Sequence, residues 1–284
     1  MNLDDVALEP QLRARLAGND LLSAPGAREE VRELTLALED EQFAFEIGQS
    51  IAVLVAGPHD FGQSHHVRLY SIASTPDEAG PGRIRICVRR CSYIDAFSGE
   101  RYPGIASNYL CDLPVGSEVV IAGPVGLPFR VPARSDANLL MIGLGTGIGP
   151  FRALIRHIYE ERGGWQGQVR LFYGARTGLE LAYMNDRRND FASYLDQATF
   201  EAIEALSPRP AWDEPADLNA AIARHHAEVR SLLEDPRTHV YLAGLAVIGE
   251  QLDAALATLA GGSDAWAARK AAMVEAGRWM ELLY

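Results

Sequence analysis

Between Val31 and about Val120, apolar and polar residues alternate in short runs: Val31–Leu38, Ser50–Val55, Arg68–Ala73, Arg83–Arg89 and Glu118–Ile121. A period of two, with turn-forming residues between the runs, predicts antiparallel strands folded into a barrel or sandwich. Gly123-Pro-Val-Gly126 ends the pattern. Pro132–Ala137 then reads as a linker, because its proline, small and polar residues extend neither neighbour. Upstream, Glu9–Leu16 fits one or two amphipathic helical turns before Pro25-Gly26, so residues 1–30 read as an appendage packed on the barrel.

Beyond the linker the period lengthens. Asn138–Gly143 is a short apolar strand, and Phe151, Leu154, Ile155, Ile158 and Tyr159 recur at the spacing of one helix face. Val169–Tyr173 and Thr238–Leu242 supply further strands, with helical patterns over Asp217–Glu234, Ala246–Leu259 and Ser263–Gly277. Alternating strand and helix predicts a parallel sheet covered on both faces. The expected fold is therefore two domains: an antiparallel β-barrel over residues 31–132 and an α/β domain with a parallel sheet over 138–284.

Composition agrees with two cores, since 284 residues at 48% apolar exceed one ordinary domain. The first residues are acidic and no apolar run reaches the ~18 residues of a membrane helix, which predicts a cytoplasmic protein. Three scattered cysteines, Cys87, Cys91 and Cys111, offer no disulfide framework and no zinc or iron–sulfur ligand set. Redox chemistry would therefore need a bound organic cofactor. The net charge of −12 is divided evenly between the two halves, which argues against nucleic acid or an anionic membrane as partner.

Two clusters carry candidate chemistry. Gly143-Leu-Gly145-Thr146-Gly147-Ile-Gly149-Pro150 joins the strand to the helix. It misses the G-x-G-x-x-G register, since the third glycine would fall at Ile148 or Pro150. It still lets a dinucleotide approach the backbone and face a helix N-terminus, with Pro150 harmless in a first turn. In Arg68-Leu-Tyr70-Ser71, alternation puts Arg68, Tyr70 and Ile72 on one face and Leu69, Ser71 and Ala73 on the other. An arginine fork can grip a pyrophosphate, a tyrosine can pack on a flavin ring, and a serine can hydrogen-bond near its edge.

In order and spacing, Arg68-Leu-Tyr70-Ser71, Cys87-Val88-Arg89-Arg90 with Tyr93, Gly104-Ile105-Ala106-Ser107, Gly123-Pro-Val-Gly126, Gly145-Thr146-Gly147 and the final Tyr284 resemble the plant-type ferredoxin-NADP reductases. The resemblance runs from about residue 31 to the end of the sequence. It implies an FAD-binding barrel followed by an NAD(P)-binding domain, with electrons passing between NADPH or NADH and a one-electron carrier, ferredoxin or flavodoxin. It further implies Arg68 and Arg89 on the FAD pyrophosphate, Tyr70 on one flavin face and Tyr93 on the adenine. Cys87, Val88, Ile105, Ala106 and Ser107 complete that cofactor surface, with Ser71 beside flavin N5. Tyr284 covers the opposite flavin face as a movable gate, and Gly145, Thr146 and Gly147 face the nicotinamide nucleotide. A reductase component of a multicomponent oxygenase would share every one of these motifs. A flavin-binding interaction module without turnover is the rival reading.

The chain departs from the family at three places. Ala243 stands where the family usually has a cysteine that helps place the nicotinamide. Leu282 stands where plastid enzymes have a glutamate, Glu281 lying one position too early for a proton-transfer role. Ser207 and Arg209 match the family's 2′-phosphate pocket, but no tyrosine follows, and an aspartate nearby would repel a phosphate. NADP and NAD both stay open, with Arg209 favouring NADP. The pairs His65-His66 and His225-His226 diverge too far to chelate a metal and read as solvated polar residues. Arg83, Arg85, Arg89, Arg90 and Arg101 form the densest basic region, either a steering patch for an acidic carrier or ordinary strand-surface charge.

Overall fold

A computed structural model describes residues 6–57, 64–212 and 214–284, and the backbone alone at 247 and 250. The acidic start, Met1–Asp5, lies outside the described residues. The first half forms strands β1 (Gln11–Leu21), β2 (Val31–Leu38), β3 (Ser50–Ala56), β4 (His65–Ser71) and β5 (Arg83–Arg89). A hairpin of β6 (Ser92–Ile94) and β7 (Arg101–Pro103) follows, and then β8 (Glu118–Val125). Helix α1 (Pro76–Ala79) lies between β4 and β5, and α2 (Ile105–Asp112) between β7 and β8. Six strands pair antiparallel in the order β4-β3-β8-β1-β2-β5. An Ile72–Ile86 bridge and the Ala73 N–H donating to the Arg85 carbonyl join the two edge strands, closing the barrel. Inside it pack Leu16, Leu34, Leu36, Ile51, Val53, Ile84, Ile86 and Val119, the inward positions of a period-two pattern.

The expectation of a helical appendage before residue 31 is corrected here. β1 is an interior strand of the barrel, paired with β2 on one side and β8 on the other. Ala14 and Leu16 are buried while Arg13 and Arg15 point outward. That is a strand's alternation, and pairing on both edges overrides the helix-forming character of its Leu, Ala and Arg residues.

The second half is a parallel sheet built from β9 (Asn138–Leu144), β10 (Val169–Ala175), β11 (Phe200–Leu206), β12 (Thr238–Gly244) and β13 (Trp279–Leu283). The strand order is β11-β10-β9-β12-β13. Helix α3 (Ile148–Arg156) runs on into a π-helical turn at His157–Glu161. The pattern over Asp217–Glu234 is two helices rather than one, α4 (Leu218–Arg224) and α5 (His226–Glu234), separated at His225. Helices α6 (Val247–Ala260) and α7 (Ser263–Glu275) complete the domain. Apolar residues cover both sheet faces, one core running through Phe151, Leu154 and Tyr173 and the other through Phe172, Leu232 and Leu252. The first core also holds Leu22, Val31, Ala73, Cys87 and Phe129, so apolar packing is continuous from barrel to sheet. Among the described residues no helix is long and apolar enough to cross a membrane.

Candidate functional site

The sheet order fixes where a nucleotide can bind. From β9 the chain winds outward to β10 and β11, then returns past β9 to β12 and β13. The reversal opens a crevice beyond the carboxyl ends of β9 and β12, the position at which open α/β sheets take ligands. The glycine turn lies there as a 3-10 segment, Gly145–Gly147, leading into α3 with no side chain capping the helix. Gly145 has φ +56°, and the Tyr173 hydroxyl donates to its carbonyl at 3.1 Å. A β-carbon on Gly147 would stand 2.2 Å from the Ala243 carbonyl oxygen. The two strand ends thus approach closely because residue 147 has no side chain.

Directly against this crevice is a cleft of about 550 Å³ at the domain junction, in the usual ~300–1,000 Å³ range of cofactor sites. β4 contributes His66, Arg68, Leu69, Tyr70 and Ser71, while β5 and its extension contribute Cys87, Arg89, Cys91, Ser92 and Tyr93. Gly104, Ile105, Ala106 and Ser107 at the start of α2 close one end, and Thr146 and Tyr284 enter from the second domain. The α2 N-terminus has no side-chain cap and its first residues line the cleft, an arrangement that favours an anion there. The Ser107 hydroxyl accepts from Cys91 N–H at 3.1 Å, fixing the β5 extension against the helix.

The two arginines differ in their engagements. Arg68 is exposed and donates to the Val67 carbonyl at 2.8 Å, with no carboxylate partner among the described residues. Arg89 is paired with Glu29 at 2.9 Å. Tyr70 packs against the barrel core, where burial pushes its phenol well above the ordinary range. Burial likewise raises the Cys87 thiol far above its ordinary value, leaving an inert thiol at neutral pH. Tyr93 stacks on Tyr102 across the hairpin at 5.8 Å. Tyr284 is held at three points: its N–H donates to the Gly244 carbonyl, its carbonyl accepts from Ala246 N–H, and its hydroxyl lies 2.5 Å from Thr146 Oγ1. The residue is 54% exposed as a whole, but desolvation of its phenol end in the cleft pushes that group up to about 12, the Thr146 hydrogen bond acting the other way.

Most of the residues singled out in the sequence therefore share one cleft. Three do not. The Val88 side chain is wholly buried in the barrel core, which leaves only its main chain available to a ligand. Ser207 and Arg209 lie at the carboxyl end of β11, on the nucleotide side, where the Ser207 hydroxyl accepts from Arg209 N–H at 3.2 Å. His66, Leu69, Cys91, Ser92 and Gly104 line the cleft without having been chosen, although Leu69, Ser92 and Gly104 adjoin a chosen residue in the chain and His66 and Cys91 lie two positions from one. Glu281 is turned from the site: it accepts from the Trp279 indole at 2.6 Å and pairs with Lys270 at 3.4 Å. The basic region is largely neutralised within the molecule, with Arg85 on Glu78 and Arg90 on Glu30 and Asp112. Only Arg83 and Arg101 of that group have no ion pair among the described residues. Glu29 and Glu30 lie 60 residues from their arginines and Asp112 lies 22, which concealed those pairs, whereas Glu78 on α1 is seven residues before Arg85.

An antiparallel barrel, a parallel nucleotide sheet and a cleft at their junction define an FAD-dependent oxidoreductase that uses a nicotinamide dinucleotide. Residues 24–129 match the oxidoreductase FAD-binding domain and residues 141–251 the oxidoreductase NAD-binding domain. The chain is 31% identical over 274 residues to the ferredoxin--NADP reductase of Thermosynechococcus vestitus, covering 93% of this chain and 70% of that protein. It is 31% identical over 240 residues to the enzyme of the same name from Synechocystis sp., covering 83% of this chain and 58% of that protein. The ferredoxin-NADP+ reductase of Plasmodium falciparum shares the fold at 15% identity, with a TM-score of 0.75 over 99% of this chain and 98% of that one. The chain belongs to the ferredoxin-NADP reductase family.

Proposed function

We propose that the chain carries electrons between NADPH and a one-electron carrier, ferredoxin or a flavodoxin in its place, through FAD bound in the junction cleft. The observation that carries this reading is the convergence of Arg68, Arg89 and the uncapped α2 N-terminus with Thr146 and Tyr284 of the other domain on one cleft. Bound FAD supplies the conversion between paired and single electrons. Arg68 grips the pyrophosphate, joined by Arg89 once Glu29 yields it, and the α2 N–H groups add donors. Tyr70 and Tyr93 offer aromatic surfaces to the ring systems, and Ser71 places a hydroxyl within the cleft. Tyr284 shields the side facing the nucleotide domain and must withdraw for a nicotinamide to enter. Gly145, Thr146, Gly147 and the α3 N-terminus receive the nucleotide, with Arg209 positioned for a 2′-phosphate. Three free cysteines suit a reducing compartment, and we place the protein in the cytoplasm on that ground.

The test is anaerobic. The purified chain, mixed with NADPH and a ferredoxin, should bleach its flavin band and reduce the ferredoxin. A flavin that stays oxidised with both NADPH and NADH would refute the catalytic reading and leave a flavin-binding module.

A further inference from the structure

Arg209, the basic residue that matches the family's 2′-phosphate pocket, already holds an anion of the protein's own. Its Nη2 lies 2.5 Å from Glu214 Oε1, and its guanidinium stands 5.7 Å from the ring centroid of Trp212, which is 77% exposed. Of the two aspartates in this stretch, Asp213 lies outside the described residues, and Asp217 is spent otherwise: its side chain accepts from Ala220 N–H at 2.8 Å and caps α4. The Ser207 hydroxyl accepts from Arg209 N–H, which still leaves its own hydrogen to donate. Among the described residues, the carboxylate paired with Arg209 is thus Glu214. Both side chains are accessible enough to exchange partners, Arg209 being 63% exposed and Glu214 29%.

We propose that Glu214 is a specificity-determining residue for the nucleotide, occupying Arg209 as an internal substitute for the 2′-phosphate. The inference rests on the reading that a nucleotide binds along the carboxyl edge of the sheet. A dianionic 2′-phosphate must break the Arg209–Glu214 pair and then sit beside the displaced carboxylate. A ribose 2′-hydroxyl leaves the pair intact. Glu214 therefore narrows the advantage that Arg209 gives to NADPH, and the chain accepts NADH more readily than Arg209 alone would allow. Trp212 lies against the guanidinium and holds it at the site when Glu214 lets go.

The experiment is calorimetric titration of the full chain with 2′-phospho-AMP and with 5′-AMP, for wild type, Glu214→Gln, Arg209→Gln and the double variant. Exposed pairs of this kind carry little energy, so Glu214→Gln should tighten 2′-phospho-AMP about two- to fivefold and leave 5′-AMP unchanged. The gain should shrink as salt rises. In the Arg209→Gln background the same substitution should do markedly less, because the pair is already gone. A ratio of the two affinities that Glu214→Gln leaves unchanged, or equal gains in both backgrounds, overturns the proposal while the nucleotide site stands. Failure of wild type to bind either probe overturns the nucleotide-site reading and the proposal with it.

Discussion

The Thr146 hydroxyl and the Tyr284 phenol lie 2.5 Å apart, tying the glycine turn of the nucleotide domain to the aromatic ring at the end of β13. The Tyr284 main chain is fixed by hydrogen bonds on both sides of Gly244–Ala246, so the ring can leave only by turning about its own side-chain bonds. That movement must first break the bond to Thr146. A neutral hydrogen bond of this sort contributes about 0.5–1.5 kcal/mol net. Thr146→Val keeps the shape and removes the bond, so KM for NADPH should fall roughly two- to tenfold. Steady-state kinetics with an artificial acceptor would show it, and an unchanged or raised KM would rule out the tether.

Arg68 and Arg89 differ in what each must give up to hold a pyrophosphate. Arg89 must leave Glu29, whereas Arg68 has no carboxylate to leave among the described residues. Arg68→Gln should accordingly weaken FAD binding by roughly ten- to a hundredfold, the loss of a charge-assisted hydrogen bond or two. Because Arg68 is exposed, the apoprotein should melt within a degree or two of wild type. Fluorescence titration of apoprotein with FAD reads the first quantity and a thermal scan the second. Normal flavin affinity in the variant would remove Arg68 from the site.

The legible parts of this chain were those set by local pattern or by ordered motifs. Alternation in Val31–Leu38 and Arg83–Arg89 marked strands β2 and β5 to the residue, since Leu34, Leu36 and Leu38 of the first and Ile84, Ile86 and Val88 of the second are all buried at a spacing of two. Gln11–Leu21 was misread because Glu9–Leu16 is too short to separate a period of two from 3.6, and one of its two partner strands lies more than a hundred residues away at Glu118–Ala122. Trp279–Leu283 gave no separate signal next to α7, although it pairs with Val240–Gly244 to form the sheet edge. Arg68, Tyr70 and Tyr284, singled out by motif, all line the candidate cleft, but whether an arginine is free or paired depends on contacts such as Arg89–Glu29 that no local pattern encodes.

Arg152 is the centre of a buried ion cluster joining the two domains. From α3 its guanidinium reaches Glu78 at 2.6 and 2.8 Å, Asp190 at 2.5 Å and the Ala73 carbonyl at 3.1 Å. Glu78 also holds Arg85, while Arg188 links Asp190 to Glu33, whose carboxylate accepts from the Tyr183 hydroxyl. Tyr183, in left-handed backbone at φ +64°, has both Arg152 and Arg188 against its ring at 5.1 Å. Arg152→Ala would strand Glu78 and Asp190 without their main counter-charge, an arrangement that costs about 3–5 kcal/mol when buried. Urea denaturation should show that loss in the midpoint. A decrease under about 1 kcal/mol would mean that Arg85 and Arg188 suffice for the remaining carboxylates.

The same buried groups shape the response to acid. Burial works to raise the pKa values of Glu78 and Asp190, but the arginines outweigh it and hold both below their ordinary range. Their stabilisation is present at neutral pH and is lost only as pH falls below the ordinary carboxylate values of 4.5 and 3.8. His239 on β12 acts earlier. Its Nδ1 is buried without a hydrogen-bond partner, and burial, together with the charge of Arg278, lowers its pKa from 6.5 to about 4. Between those two values the unfolded chain takes up a proton that the folded protein refuses, so stability falls as pH falls through that window. Thermal midpoints should therefore decline in two stages, gently from about pH 6.5 to 4 and steeply below. His239→Gln should flatten the first stage and leave the second in place, and coincident slopes for variant and wild type between pH 6.5 and 4 would assign the first stage to other groups.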